Sequence, residues 1–370
     1  MTKIMIVAGL GVSLVLFRGE LIKNWLGKGF KIVAAAPGNE VKGPLEEMGA
    51  SYRCIPLDRT SLNPFYDVAL LFKLKRLLKE EKPDYLFCYT AKPVIFGSLA
   101  AYFYRKIRVF VMITGLGYVF SADSWKSLLL QKLVIQLYKI AMFRNEKVFF
   151  QNPDDREEFL RLKITRREKM VLINGSGVNT SYFSPVPLPE KQTSFLMIAR
   201  LLKEKGVKEY IEAAGVVKQK YPEVRFVLVG WSFEENPSAI GQEQVDLWRN
   251  EGIVEIYGET NNVRPFIAEA SVYVLPSYRE GTPRTVLEAM SMGRPIITSD
   301  APGCRETVID GVNGYLVPVK DVSALVDAME KFIWKPELLK HMGIESRRLA
   351  VKKYDVHKVN QVINNEMGIG

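Results

Sequence analysis

Histidine is almost missing from this 370-residue chain: the two present, His341 and His357, both lie near the C-terminal end. Neither an imidazole-based triad nor a histidine-rich metal site is expected. Cysteine is nearly as rare. Cys54, Cys88 and Cys304 stand far apart, with no Cys-x-x-Cys pair, so no zinc ribbon or disulfide framework is expected and a reducing compartment fits best. Cys54 and Cys88 sit in apolar runs and read as small buried hydrophobes. There is no Asp-x-Asp pair to hold a divalent cation, no low-complexity tract and no fixed-period repeat. Long apolar runs are lacking too. Residues 4–17 contain Gly9 and Gly11 and are followed by Arg18. That stretch is too short to span a bilayer and has no small-residue cleavage site, so it reads as a buried first strand and its loop.

What is present is the balance of a globular protein, with 48% hydrophobic and 25% charged residues. The length suggests two domains. The net charge of +10 is uneven: residues 1–180 hold 28 Lys and Arg against 16 Asp and Glu, whereas 181–370 hold 23 against 25. An anionic partner for the first half is expected: phospholipid, a lipid-linked phosphate or nucleic acid. A scattered solvated surface is the alternative.

Short apolar runs at 3–8, 31–36, 51–56, 84–88, 108–113, 147–150 and 170–173 alternate with amphipathic stretches at 17–26, 41–48, 66–82, 94–104, 124–144 and 154–162. Continuously apolar strands separated by helices predict a parallel sheet covered on both faces. Residues 174–192, with Gly175, Gly177, Pro185, Pro187 and Pro189, read as a linker. The pattern restarts with strands at 195–198, 225–229, 253–257, 271–275 and 295–298, and closes with helices near 322–333, 336–349 and 356–366. The expectation is α/β: two Rossmann-like domains, 1–180 and 181–370, facing a central cleft, with the last helix free to pack back on the first domain. In such sheets ligands bind beyond the carboxyl ends of the strands.

Two segments occupy those positions. In the first, Pro276-Ser277-Tyr278-Arg279-Glu280-Gly281-Thr282-Pro283-Arg284-Thr285 leads from a strand into a helix expected to begin near Pro283. The N–H groups of Thr282, Arg284 and Thr285 would make an anion site at the helix N-terminus. Glu280 precedes that site and Glu288 lies about two turns on. As isolated features these would be an ordinary turn with two solvated glutamates; their place after a buried strand argues otherwise. In the second, Arg200 and Lys205 follow the first strand of the second half, offering a planar fork and a compact charge for phosphate oxygens. Such cations could balance a diphosphate without a metal.

Arg200-x4-Lys205-Gly206, Glu280-Gly281-x-Pro283, Glu280-x7-Glu288, Gly303-x2-Glu306-x4-Gly311-x2-Gly314 and the linker Gly177-Val178-Asn179…Phe183-Ser184-Pro185 together resemble the retaining family 4 glycosyltransferases. The resemblance covers essentially the whole chain. It implies the GT-B fold, a nucleotide-sugar donor on the C-terminal domain and an acceptor on the N-terminal one. Arg200 and Lys205 would grip the donor phosphates, Glu280 the transferred sugar and Glu288 the ribose, while Gly281, Thr282, Pro283, Arg284 and Thr285 complete the diphosphate site. Asn236-Pro237-Ser238 resembles members that add N-acetylhexosamines to lipid-linked intermediates. Related enzymes often carry a histidine in an N-terminal loop; none is available here, and Lys92 is the substitute.

On the N-terminal side, Gly11, Lys92, Gly115 and Gly117 lie in loops after expected strands and are candidates for acceptor or sugar contact, although the glycines could equally serve turns. The Gly9-x-Gly11 pair lacks the third glycine and the acidic residue of a dinucleotide fingerprint. The basic helices around 70–79 and 125–144 could lie at a membrane interface or pack on a sheet with lysines outward. The resulting expectation is a metal-independent transferase with no cofactor, taking a UDP-sugar to a polyprenyl-diphosphate-linked acceptor at the cytoplasmic membrane face, without nucleic acid. Three alternatives stay open: a sugar-nucleotide epimerase or hydrolase, an NAD-dependent oxidoreductase, and a basic nucleic-acid adaptor.

Overall fold

The computed structural model describes residues 1–58, 61, 63–116, 125–190, 192–232, 236 and 238–370, with the backbone alone for 125–127. The chain divides into two units. Met1–Ser176 together with His357–Gly370 forms the first, and Gly177–Val356 the second. The division falls at 176 rather than 180 because Val178 N donates to Tyr354 O (2.8 Å) and Val356 N to Val178 O (3.0 Å), which fixes the start of the linker within the second unit.

The first unit is a seven-stranded parallel sheet: β1 (Lys3–Ala8), β2 (Lys31–Ala36), β3 (Ser51–Cys54), β4 (Tyr85–Tyr89), β5 (Arg108–Ile113), β6 (Lys147–Phe150) and β7 (Met170–Leu172), in the order 3-2-1-4-5-6-7. The strands are continuously apolar because both faces are covered. Met5 and Val7 enter one core with Leu74, Val94 and Tyr138, while Ile4, Ile6 and Ala8 enter another with Trp25, Phe87 and Phe149. The terminal helix Val356–Met367 adds Val359, Ile363 and Met367 to that second core, and Trp25 Nε1 donates to Asn364 Oδ1 at 2.8 Å.

Three expectations need correcting. Residues 11–27 form two helices, Gly11–Leu16 and Gly19–Gly27, rather than one beginning at 17. Buried Arg18, stacked 5.2 Å from the Tyr89 ring, lies at the break between them. Cys54 is exposed, since it ends the edge strand β3, whereas Cys88 and Cys304 are buried. The third expected strand therefore stops at Cys54 rather than 56.

The second unit repeats the plan with β8 (Ser194–Ile198), β9 (Arg225–Val229), β10 (Glu255–Tyr257), β11 (Val272–Leu275), β12 (Ile296–Ser299) and β13 (Gly314–Val317), all parallel, in the order 10-9-8-11-12-13. The sequence reading had no strand at β13. In both sheets the first and fourth strands are central neighbours whose connections leave in opposite directions, and that reversal opens a crevice at their carboxyl ends.

Candidate active site

The crevice of the second unit lies where β8 and β11 end, and the two sequence-selected segments leave from those two strands. After Ile198 the chain passes Arg200, turns through Lys203–Lys205 and enters the helix Val207–Lys220 at Gly206. Gly206 has φ +72°, and a Cβ there would sit 2.2 Å from Pro276 O, so only glycine lets the two loops approach this closely. They are then laced together. Tyr278 N donates to Glu204 O (2.9 Å), Ser277 Oγ to the same carbonyl (3.1 Å), and Tyr278 OH to Glu209 Oε1 (2.5 Å). Burial, reinforced by Glu209, pushes the Tyr278 phenol well up, so it remains a donor.

This lacing sets the position of the charges. Lys205 Nζ meets Glu280 Oε1 at 2.5 Å, with both side chains largely shielded from solvent. Arg200 is half-buried and makes no side-chain hydrogen bond or ion pair among the described residues. From the other side, Gly303 (φ +80°) brings the loop after β12 against Glu280 O, where a Cβ would stand 2.2 Å away, and Glu280 N donates to Pro302 O (2.9 Å).

Beyond Glu280 the helix runs Arg284–Ser291, with Pro283 as its N-cap (φ −71°, ψ 112°) instead of its first residue. Pro283 has no capping side chain of its own, and the first-turn N–H groups lie at the crevice end of the helix. Thr282 Oγ1 donates to Gly281 O at 3.0 Å. The Thr285 hydroxyl faces inward, 2.6 Å from the Tyr273 hydroxyl, which also lies 3.0 Å from Ile198 O and ties β8 to the helix start. Glu288 is 6% exposed and accepts from Arg284 Nε at 2.8 Å. Burial pushes its carboxyl up in spite of the Arg284 guanidinium.

Arg200, Lys205, Glu280, the 281–285 turn and Glu288 are thus gathered on the carboxyl ends of adjacent strands. The sequence reading missed Tyr273, Tyr278, Glu204 and Glu209; a tyrosine inside the apolar strand β11 was the one local signal for any of them. In the first unit, Gly11 and Lys92 follow β1 and β4. A Cβ on Gly11 would meet Glu40 Oε1 at 2.6 Å, and Lys92 Nζ is held by Asp67 Oδ1 and Ser61 O, each at 2.7 Å. Gly115 follows β5 with φ +126°. Gly117 and Pro237 lie outside the described residues. Among the described residues no group of three or more His, Cys, Asp or Glu side chains could hold a metal ion.

Residues 179–349 match the family model described as glycosyl transferases group 1, and residues 7–152 match glycosyl transferase 4-like. The chain belongs to the glycosyltransferases. It is 29% identical to the N,N'-diacetylbacillosaminyl-diphospho-undecaprenol alpha-1,3-N-acetylgalactosaminyltransferase of Campylobacter jejuni, over 95% of this chain and 94% of that one. It is 27% identical to the UDP-Gal:alpha-D-GlcNAc-diphosphoundecaprenol alpha-1,3-galactosyltransferase of Escherichia coli, over 79% of this chain and 77% of that one. Among solved structures, this glycosyltransferase shares its fold, GT-B, with Anabaena HepE in complex with UDP-glucose: TM-score 0.80, 18% identity, all of both chains covered.

Proposed function

We propose that this glycosyltransferase moves a sugar, with N-acetylhexosamine favoured, from a UDP-sugar to a polyprenyl-diphosphate-linked glycan, with retention of anomeric configuration and without a metal ion. The assembly it serves is a bacterial surface polysaccharide or glycoprotein glycan, and it works as a peripheral protein on the cytoplasmic face of the cell membrane. The observation that carries the reading is the lacing of the β8 and β11 loops, which puts Lys205, Glu280 and the start of the Arg284–Ser291 helix on one crevice. The named activities of the Campylobacter and Escherichia relatives support the acceptor class and the donor.

In this reading Arg200 and Lys205 bind the donor diphosphate, and the N–H groups of Gly281, Thr282, Arg284 and Thr285 share its charge. As the bond from the anomeric carbon to the β-phosphate oxygen breaks, the developing charge meets groups already in place. Glu288 accepts from the ribose hydroxyls and Glu280 from the sugar. The acceptor oxygen bonds to the anomeric carbon on the face the diphosphate leaves, and its proton passes to the departing phosphate. Gly11, Lys92, Gly115 and Gly117 are assigned to the acceptor or sugar side.

The test is transfer from UDP-N-acetylgalactosamine and UDP-N-acetylglucosamine to a polyprenyl-diphosphate disaccharide, with and without EDTA. The product linkage is read by the anomeric proton coupling. An α-linked product formed equally in EDTA is expected. Donor breakdown without transfer would replace the proposal with a hydrolase, and a β-linked product would remove retention.

A further inference from the structure

Among the described residues, the first unit exposes a long apolar surface on the helices that cover the Met5–Val7 side of its sheet. Helix Pro64–Glu81 buries Leu70, Leu74, Leu77 and Leu78, and turns Phe65, Val68 and Phe72 outward at a spacing of one helical face. Phe65 is 81% exposed. Helix Trp125–Met142 buries Tyr138, Ala141 and Met142, and exposes Leu129, Leu133 and Ile140; Phe143, 75% exposed, continues the stripe. Single exposed apolar residues need no explanation, but large ones in register along two helices do.

The turn after Ala101 joins the two stripes. Phe103 is exposed, with Lys75 Nζ of the first helix 3.8 Å from its ring centre. Its neighbour Tyr102 donates to Ile140 O of the second helix at 2.7 Å. The stripes are therefore edges of one face.

The charge on this face is mainly positive. Between Asp84 and Glu146 the sequence holds eight Lys and Arg, of which Lys92 and Arg108 are held in ion pairs with Asp67 and Glu146, against one acidic residue, Asp123, which lies outside the described residues. Arg105 and Lys106 are exposed beside Phe103, and Lys132 lies between Leu129 and Leu133. The acids of the first helix are already engaged: Asp67 by Lys92, Glu80 by Arg76, and Glu81 by Lys3 and Arg53. Aromatic and aliphatic side chains interleaved with unopposed cations match an anionic bilayer surface, which takes the former among its acyl chains and the latter at its phosphates.

We infer that this two-helix face, with the 102–106 turn between its halves, seats the protein on anionic lipid. The inference rests on the preceding reading of a membrane-borne acceptor and gives that reading a place. In a parallel sheet each such helix runs back from the carboxyl edge, so Phe65 and Leu129 stand at the edge where β1 and β4 open their crevice. The Lys92–Asp67 contact places the start of the first helix there directly. Lipid seated along the face would deliver an acceptor headgroup to Gly11 and Lys92.

Flotation of the full chain with phosphatidylcholine vesicles, with or without phosphatidylglycerol, tests it. Binding should require phosphatidylglycerol and weaken with salt. A Phe65→Ser/Phe72→Ser/Leu129→Ser/Leu133→Ser variant should lose about tenfold or more in partitioning, as four apolar anchors are removed. A control, Leu247→Ser/Ile344→Ser on exposed positions of the second unit, should bind like the parent. Unchanged partitioning of the quadruple variant overturns the inference, as does equal binding to neutral vesicles. So does a parent dimer that the variant dissolves without loss of lipid binding, which would mark an interface between copies. The variant should still transfer sugar to a short-chain, water-soluble acceptor; parallel loss of both properties overturns the assignment. A parent that binds vesicles yet transfers nothing to any acceptor sinks the preceding reading and leaves this one standing.

Discussion

The two units share a strand order through their first six strands and differ in what they do with the crevice it creates. At β8 and β11 the loops are fastened by three hydrogen bonds, the Lys205–Glu280 contact and a close approach that needs glycine at 206, and Gly303 brings the loop after β12 against Glu280 from the other side. At β1 and β4 the corresponding bonds are two, Gly9 N to Thr90 Oγ1 at 3.1 Å and one between the Ser13 and Tyr89 hydroxyls at 2.8 Å. The second unit presents charge in fixed positions; the first presents small residues and a lysine already satisfied by Asp67. A chemical step that develops charge on phosphate gains from rigid, prearranged cations. Recognition of a varied glycan does not demand the same rigidity.

The sharpest way to break this contrast is to remove a cation from the fastened site. Arg200→Ala or Lys205→Ala should lower kcat about 10²–10³-fold, the scale of losing one preorganised stabiliser of transition-state charge. The melting temperature should stay near the parent value for Arg200→Ala. Near-normal turnover would show that the crevice of the second unit is not where the reaction occurs.

Next in size is Gly303→Ala, which tests whether the fastening itself matters. The added methyl would collide with Glu280 O in a left-handed backbone conformation. A loss of about 1–3 kcal/mol in urea unfolding is expected, together with reduced turnover. Lost stability with intact turnover would mean that the lacing serves the fold alone.

Glu288→Gln separates stability from activity. The Glu288 carboxyl is raised in the folded state, first by burial, against the pull of Arg284. Folding therefore favours the protonated form. Its contribution is most favourable below the unfolded-state pKa and erodes as pH rises toward and through the folded-state value. Glutamine has no proton to lose, so the variant should melt on the order of 1–3 °C higher near neutral pH, with the difference vanishing in acid. Turnover should fall about tenfold, the cost of exchanging a charged acceptor for a neutral one. A variant that melts lower at neutral pH would refute the linkage.

Much of this arrangement was legible in the chain and some was not, for physical reasons. Strands such as β1, β2 and β5 were readable to the residue because burial on both faces makes them uninterrupted apolar runs. β13 escaped because Tyr315 and Leu316 are only half-buried and Gly314 opens the strand. Arg200, Lys205, Glu280 and Glu288 could be picked out because each follows or enters an element whose edge the sequence announces. Their fastening could not. Tyr278 and Glu209 are 69 residues apart, and Lys205 and Glu280 are 75; no local pattern joins them until β8 and β11 become neighbours. Lys92 lies in the loop after β4, but its Asp67 partner comes from a helix 25 residues earlier.

The smallest effect is expected at that lysine, and it sharpens the contrast most directly. If the first unit's crevice adapts to its ligand, Lys92 trades Asp67 for the acceptor at little net gain, because a partly exposed ion pair is worth under about 1 kcal/mol. Lys92→Ala should then raise the acceptor KM within about fivefold and leave kcat and the donor KM unchanged. Asp67→Asn, which frees the ammonium, should lower the acceptor KM by a similar small factor. A fall in kcat for Lys92→Ala comparable to that of Arg200→Ala would show that both crevices hold groups acting on the transition state, and the division between a rigid chemical half and an adaptable recognition half would have to be abandoned.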